Sequence, residues 1–301
     1  MSISHYLKEI GRGKDGARAL NREQAADLFG QVLDASVTDL EVGAFCLAMR
    51  IKGETPEEMA GFLDATHQRL QHVSATASPL LVLPSYNGAR KLPGLTALLA
   101  LLLAREGLPV LIHGTATESS RVFTSSVLAE LGIAPLPAIR GIANGEVAFA
   151  PTALLSPGLQ RLLEARRAVG LRNSAHSVVK LMNPSAGKSL VVGSYTHPEY
   201  AQSMAATVQL MGANAMLLRG TEGESVADAR RVPKMQGFVA GQPLVLQDAQ
   251  SGTLAAVPEL PSDISAASTA SYIRQVMAGH SAVPAPIALQ VLHLKHMASL
   301  L

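Results

Sequence analysis

The spacing of apolar positions changes near residue 75, and the change divides the chain. Over the first seventy residues apolar side chains recur every three or four positions. Ala25, Leu28, Phe29 and Val32 form one such stripe behind Asn21, which can cap a helix running through Gln31 to Leu33. Thr38-Asp39-Leu40-Glu41 has capping-box spacing, in which a threonine oxygen and a glutamate carboxylate each satisfy a free backbone N–H. It predicts a helix through Met49 and Ile51 that ends at Gly53. Thr55-Pro56-Glu57-Glu58 is a second box with proline at the first helical position, followed by Met59, Phe62, Leu63, Thr66 and Leu70 at helical spacing. Such short antiparallel helices cannot bury both faces alone. They need the rest of the chain or a second copy of themselves.

After a linker at 73–79 the pattern becomes short apolar runs, most of them followed by helical stretches. Leu80–Leu83 precedes a helix at Leu95–Glu106, Pro109–Ile112 precedes Glu118–Leu131, and Ser189–Val192 precedes Pro198–Met211. Ala215–Leu218 precedes the loop Arg219–Lys234. Alternation of this kind predicts a parallel sheet covered on both faces. Two helical segments, Leu159–Val169 and Ser174–Met182, interrupt the series. Beyond Lys234 come the strand-like pieces Phe238–Val239 and Leu244–Leu246, then helices at Ala270–Ala278 and Pro286–Leu301. The pattern predicts an α/β protein with a helical domain at 1–74, on which 156–185 pack, and an α/β domain at 75–301.

Composition narrows the classes. Hydrophobic residues make up 48% of the 301 and charged residues 16%, which excludes a disordered chain. Cys46 is alone on an apolar helical pattern and reads as a buried, inert thiol in a reducing compartment. The first residues show no signal-peptide core, and the apolar run Leu95–Ala104 falls well short of the ~20 residues that span a bilayer. The expectation is a soluble, cytoplasmic protein with no membrane partner.

The loop Pro84–Gly94 lies between a buried strand and a helix, where α/β sheets place ligands. It contains only two glycines, Gly88 and Gly94, a bulky Tyr86, the cations Arg90 and Lys91, and no acid. Asn87, Gly88 and Thr96, with His113 and Gly114 at the next strand end, make a candidate anion or ligand pocket. Ala186-Gly187-Lys188-Ser189 is not a P-loop, because Met182 stands at the first glycine position and the strand follows the motif. His293 and His296 are one helical turn apart without a carboxylate or cysteine partner, so no metal site and no cofactor is expected.

The net charge of +2 conceals one bias. Arg161, Arg166, Arg167, Arg172, Lys180 and Lys188 face a single Glu164 over one short span. A solvated helix face and a phosphate-binding surface both fit that span. Arg90, Lys91, Arg121, Arg219, Arg230, Arg231 and Lys234 fall at loops or helix starts near the same strand ends and extend it into a basic groove. Glu222, Glu224 and Asp228 compete for some of these charges. With no tryptophan and 4% aromatics there is no extended base-stacking platform, so nucleic acid would be held through its phosphates with little sequence preference.

The segment from Gly43 to Thr55 (Gly-Ala-Phe-Cys-Leu-Ala-Met-Arg-Ile-Lys-Gly-Glu-Thr), followed by Glu58, resembles the helical-domain signature of anthranilate phosphoribosyltransferases. Arg167-Ala168-Val169-Gly170-Leu171-Arg172-Asn173 with Asn183-Pro184, then Val192-Gly193-Ser194-Tyr195, then Gly220 with Gly223, match that family in order. The resemblance implies the phosphoribosyltransferase (nucleoside phosphorylase-like) fold: a small helical domain with a later helical insertion, a large domain with a mostly parallel sheet, and a homodimer through the helical domain. The family's glycine-rich phosphate loop is replaced around Pro84-Ser85-Tyr86-Asn87-Gly88. Only His113-Gly114 remains of its K-H-G-N-R segment, and counting puts its paired magnesium acids at Ser225-Val226. These departures resemble the YbiB-type branch, which implies a non-catalytic scaffold that binds DNA or RNA. The alternatives are a glycosyl or phosphoribosyl transferase with a divergent donor loop, holding metal through Glu222, Glu224 or Asp228, and a small-molecule binder that keeps the anion pocket beside Arg90 and Thr96.

Overall fold

The capping signals form as the spacing predicts. In the computed structural model, which describes residues 2–13, 15–75, 77–253 and 258–301, Asn21, Thr38 and Thr55 each close a reciprocal box, with Gln24, Glu41 and Glu58. They start helices α2 (Arg22–Leu33), α3 (Asp39–Lys52) and α4 (Pro56–His67), preceded by a short α1 (Ser4–Ile10) that has no capping signal in the sequence. Glu58 does more than cap its helix. It is fully buried and also accepts from Leu20 N at 2.9 Å and Lys52 Nζ at 2.6 Å, so one carboxylate joins three segments. Phe29 stacks on Phe62 at 4.6 Å between centroids, and Phe45 meets both edge-on. Cys46 is buried beside them, and burial pushes its thiol up to about 11, as an inert core sulfur requires.

The strands β1 (Leu80–Ser85), β2 (Val110–Gly114), β3 (Val147–Pro151), β4 (Ser189–Ser194), β5 (Ala215–Leu218), β6 (Met235–Val239) and β7 (Gln242–Gln247) form, among the described residues, a sheet in the order β3-β2-β1-β4-β5-β6-β7. The first five run parallel and the last two antiparallel. Successive residues feed two separate cores. Leu80, Val82, Leu111, Val191 and Leu217 face the N-terminal helices. Leu81, Leu83, Ile112, Val192 and Met216 face α5 (Thr96–Arg105), α6 (Thr124–Glu130), α11 (Ala266–Met277) and α12 (Ala285–Ser299). Both faces are covered, which is why the strands read as unbroken apolar runs. Helix α8 (Pro157–Val169) packs on α2, where Arg161 donates to the carbonyls of Val32 and Leu33, and α10 (Pro198–Leu210) packs on α4. No described helix is long and apolar enough to cross a membrane.

Two expectations are corrected, and one strand is not anticipated. The helix expected from Glu118 begins at Thr124, because Val122 exchanges backbone hydrogen bonds with Ala89 instead. The segment Ser174–Met182 is helical only at α9 (Ala175–Val178). Strand β3 goes unread in the sequence, since its five residues are not followed by the long helix that flags the others. The linker at 73–79 is described apart from Thr76.

Sequence order reverses between β1 and β4, so the loops after these strands flank the switch point where open α/β sheets bind ligands. The α2–α4 crossing below them is close: a Cβ on Gly61 would lie 2.3 Å from the Arg22 carbonyl. Gly61→Ala is expected to cost about 1–3 kcal/mol through overpacking, read as a lower urea midpoint at unchanged slope.

Candidate functional site

The loop that follows β1 is organised around a carboxylate from elsewhere in the chain. Glu224, 2% exposed, lies on the loop after β5 and reaches across to it. One of its oxygens accepts from the backbone N–H groups of Asn87 at 2.7 Å and Gly88 at 2.8 Å. The other takes the hydroxyl of Ser85 and, at 3.4 Å, that of Thr96. Glu222 does the same one step outward, accepting from the N–H groups of Arg90 and, at 2.7 Å, Lys91. A carboxylate taken out of water needs such partners, and here backbone dipoles supply them. Gly88 has φ +67, and a Cβ there would sit 3.0 Å from the Val122 carbonyl, so the Ala89–Val122 pairing depends on that glycine.

The pocket residues read from the sequence therefore do come together, but on an internal acceptor. Asn87, Gly88 and Thr96 surround Glu224. His113 is fully buried one layer below, its Nδ1 2.8 Å from the Tyr86 hydroxyl, which also accepts from Thr152 Oγ1 at 3.0 Å. Gly114 is required by close packing, since a Cβ would fall 2.0 Å from the Ser85 carbonyl. Tyr86 fills the volume beneath the loop with its ring, which is 4% exposed. Burial pushes His113 down to about 3, so it stays neutral and structural.

The cations sort into two groups. Lys180 turns inward, donating to the carbonyls of Ser194 at 3.1 Å and Gly223 at 3.4 Å; burial first, with Arg172 adding to it, holds its amine down at about 8. Arg230 is paired with Asp228 at 2.8 Å, and Arg231 donates to the Gln250 carbonyl. Lys180 is thus committed to the fold, whereas Arg230 is itself exposed and Arg231 half-buried, each with a surface partner. Arg90, Lys91, Arg167, Arg219 and Lys234 are exposed. Arg172 forms no hydrogen bond or ion pair among the described residues. Burial, and after it the charges of Arg166 and Arg121, with a smaller contribution from Arg50, hold its guanidinium below the usual value. Glu118 pairs with Arg166 at 3.1 Å and Arg121 at 3.4 Å, so one carboxylate is shared by two of these arginines while Arg172 and Arg50 have no ion pair among the described residues. Ser174 and His176 lie close by in sequence and are buried, each with a polar atom that has no partner. Glu118 and His176 carry no motif and Arg50 is read only as part of the helical-domain signature; the folded chain brings all three to the arginine cluster.

Comparison with known proteins fits this architecture. Residues 4–69 match the helical bundle domain of a glycosyl transferase family. A protein of Escherichia coli K12 described as "Uncharacterized protein YbiB" is 37% identical over 97% of this chain and 92% of its own. The anthranilate phosphoribosyltransferase of Persephonella marina is 24% identical over 73% of this chain and 66% of its own. Among solved structures, the anthranilate phosphoribosyltransferase of Thermus thermophilus superposes with a TM-score of 0.73 at 20% identity, over 95% of this chain and 85% of that one. The Saccharomyces cerevisiae enzyme in complex with PRPP and Mg superposes with a TM-score of 0.71 at 13% identity, over 99% and 88%. The chain belongs to the anthranilate phosphoribosyltransferase-like family. A magnesium-bound pyrophosphate donor does not fit its loop, however. The amide donors already hold two carboxylates, Glu222, Glu224 and Asp228 are each engaged by different partners, and among the described residues no three His, Cys, Asp or Glu side chains group as metal ligands.

Buried histidines give the folded chain a pH dependence. Burial holds His67 and His176 down at about 4 and His113 at about 3, with the charge of Arg172 adding to the effect on His176. Each stays neutral in the folded state while its unfolded counterpart takes a proton near 6.5. Stability is therefore complete above pH 6.5 and is expected to fall as pH drops towards 4. Each histidine adds up to about 1.4 kcal/mol per pH unit. Urea melts at pH 7, 6 and 5 measure the slope, and a flat profile would contradict the burial of these rings.

Proposed function

We propose that this chain binds nucleic acid, DNA or RNA, through backbone phosphates, on a transferase scaffold that does not itself transfer phosphoribose. The observation that carries this is the arginine cluster: Arg121 and Arg166 share Glu118, and Arg172, close enough to both to feel their charge, has no partner among the described residues. Arg90, Lys91 and Arg167 are exposed nearby in the chain, on the switch-point loop and at the end of α8, and can extend the same surface. Phosphate contacts need cations free to pair and nothing more specific. Loss of the donor site supports the non-catalytic half, since the loop that would hold a pyrophosphate holds Glu222 and Glu224.

Self-association through the helical region is part of the same proposal. Leu40, Leu47 and Ile51 lie along one side of α3 and are 84%, 47% and 60% exposed. Their 40–47–51 spacing continues the side of a helix that a second helix can cover. A second copy of this region is its proposed occupant, which gives a homodimer.

Two experiments test these readings. Arg167→Ala combined with Arg172→Ala is expected to weaken duplex binding equally for unrelated sequences. It should lower the slope of log affinity against log salt by roughly 0.7–0.9 per lost contact. Unchanged affinity and slope in a folded variant would show the cluster to be solvated surface, and turnover of anthranilate with a phosphoribosyl donor would restore the transferase reading. Replacing Leu40, Leu47 and Ile51 by Ser is expected to give a folded monomer by light scattering, and a variant that stays dimeric would move the interface elsewhere.

A further inference from the structure

The turn that delivers the two carboxylates is held in an unusual shape. Glu222 has φ +51 and Gly223 has φ +83, so a residue with a side chain sits in the left-handed region beside a glycine. A Cβ on Gly223 would lie 2.0 Å from the Asn87 amide nitrogen. Asn87 Nδ2 donates to the Glu222 carbonyl at 2.9 Å, and the Ser194 hydroxyl to the Gly223 carbonyl at 2.5 Å. The left-handed conformation is unfavourable for a non-glycine residue, so the surrounding bonds must hold it in place. The effect is to aim both carboxylates at the amides of the β1 loop. Those four N–H groups and the Ser85 hydroxyl surround oxygens in the way that binds an oxyanion.

We propose that Glu222 and Glu224 are the built-in occupants of an oxyanion site. The wild-type chain is closed there to phosphate-type ligands, and removing both carboxylates makes the loop a site for inorganic phosphate or pyrophosphate. A free dianion cannot share the amides with two carboxylates, because like charges at contact distance repel and the tethered groups are always present. Without them the amides lack acceptors, and a phosphate group supplies several. This inference does not rest on nucleic-acid binding, since it is argued from the backbone amides of the loop, whereas that reading rests on the arginine cluster and uses only the side chains of Arg90 and Lys91 here.

The test uses the full chain carrying Glu222→Ala and Glu224→Ala, with inorganic pyrophosphate as the probe and sodium chloride at equal ionic strength as the control. Thermal melts of the double variant are expected to rise saturably with millimolar pyrophosphate, well beyond any rise in the wild type, where only the arginine cluster is open to the anion. The rise is expected to survive Arg172→Ala in the same background. A response lost with Arg172 would place the ligand in the cleft and overturn the proposal. So would equal responses from wild type and double variant, or none from a folded double variant. If the double variant does not fold in buffer, refolding in pyrophosphate but not in chloride supports the proposal, and failure in both overturns it. Duplex binding by the double variant, measured in parallel, is expected to persist, so the two readings fail separately.

Discussion

A buried negative charge must be answered by nearby donors, and much of the switch point is arranged to answer Glu224. Its partners come from the end of β1, the loop beyond it and the first residue of α5. Ser85, one of those partners, also bonds Thr124 at the start of α6, so the same contact reaches the loop after β2. The loop after β5 is thereby fixed to the loops after β1 and β2, with Ser225 tied back to the Pro84 carbonyl and Gln290 of α12 holding both sides of Ser225-Val226-Ala227. Side chains and backbone that a ligand would have to move are already hydrogen-bonded to one another.

The cationic cleft has a different origin. Arg50 comes from α3, Arg121 from the loop before α6, and Arg166 and Arg172 from the end of α8 and just beyond. Their proximity follows from α8 packing on the N-terminal helices while its last turn faces the loop after β2. Holding Arg172 near the charges of Arg166, Arg121 and Arg50, with Glu118 paired to only two of them, is costly unless water or an anion compensates.

Much of the fold is legible in the sequence because its signals are local. Capping boxes at Thr38 and Thr55 and apolar runs at residues 80, 110, 189 and 215 each declare an element within a few residues. Strand β3 is missed because it is followed by the four-residue α7 (Thr152–Leu155) and not by a long helix. The site is less legible, because its meaning lies in pairings across the chain. Glu224 as a metal candidate and Asn87-Gly88 as an anion pocket are each sensible alone; only their 2.7 Å contact shows that one fills the other. Lys180 belongs to a basic run by sequence, yet its neighbours turn it towards carbonyls.

The position of β1 also governs how the chain can be built. It is the first strand made but lies third in the sheet, with β2 on one side and β4 on the other. During synthesis the β2 side can be paired early, whereas the partner for the other side emerges only after β2, β3 and all of α5–α9. Until then the Leu80–Val82 edge presents bare amides and carbonyls that any extended segment could pair with. Long-range parallel pairing is slow for entropic reasons, so a nascent chain halted before residue 189 carries an open, apolar sheet edge of the kind that invites aggregation.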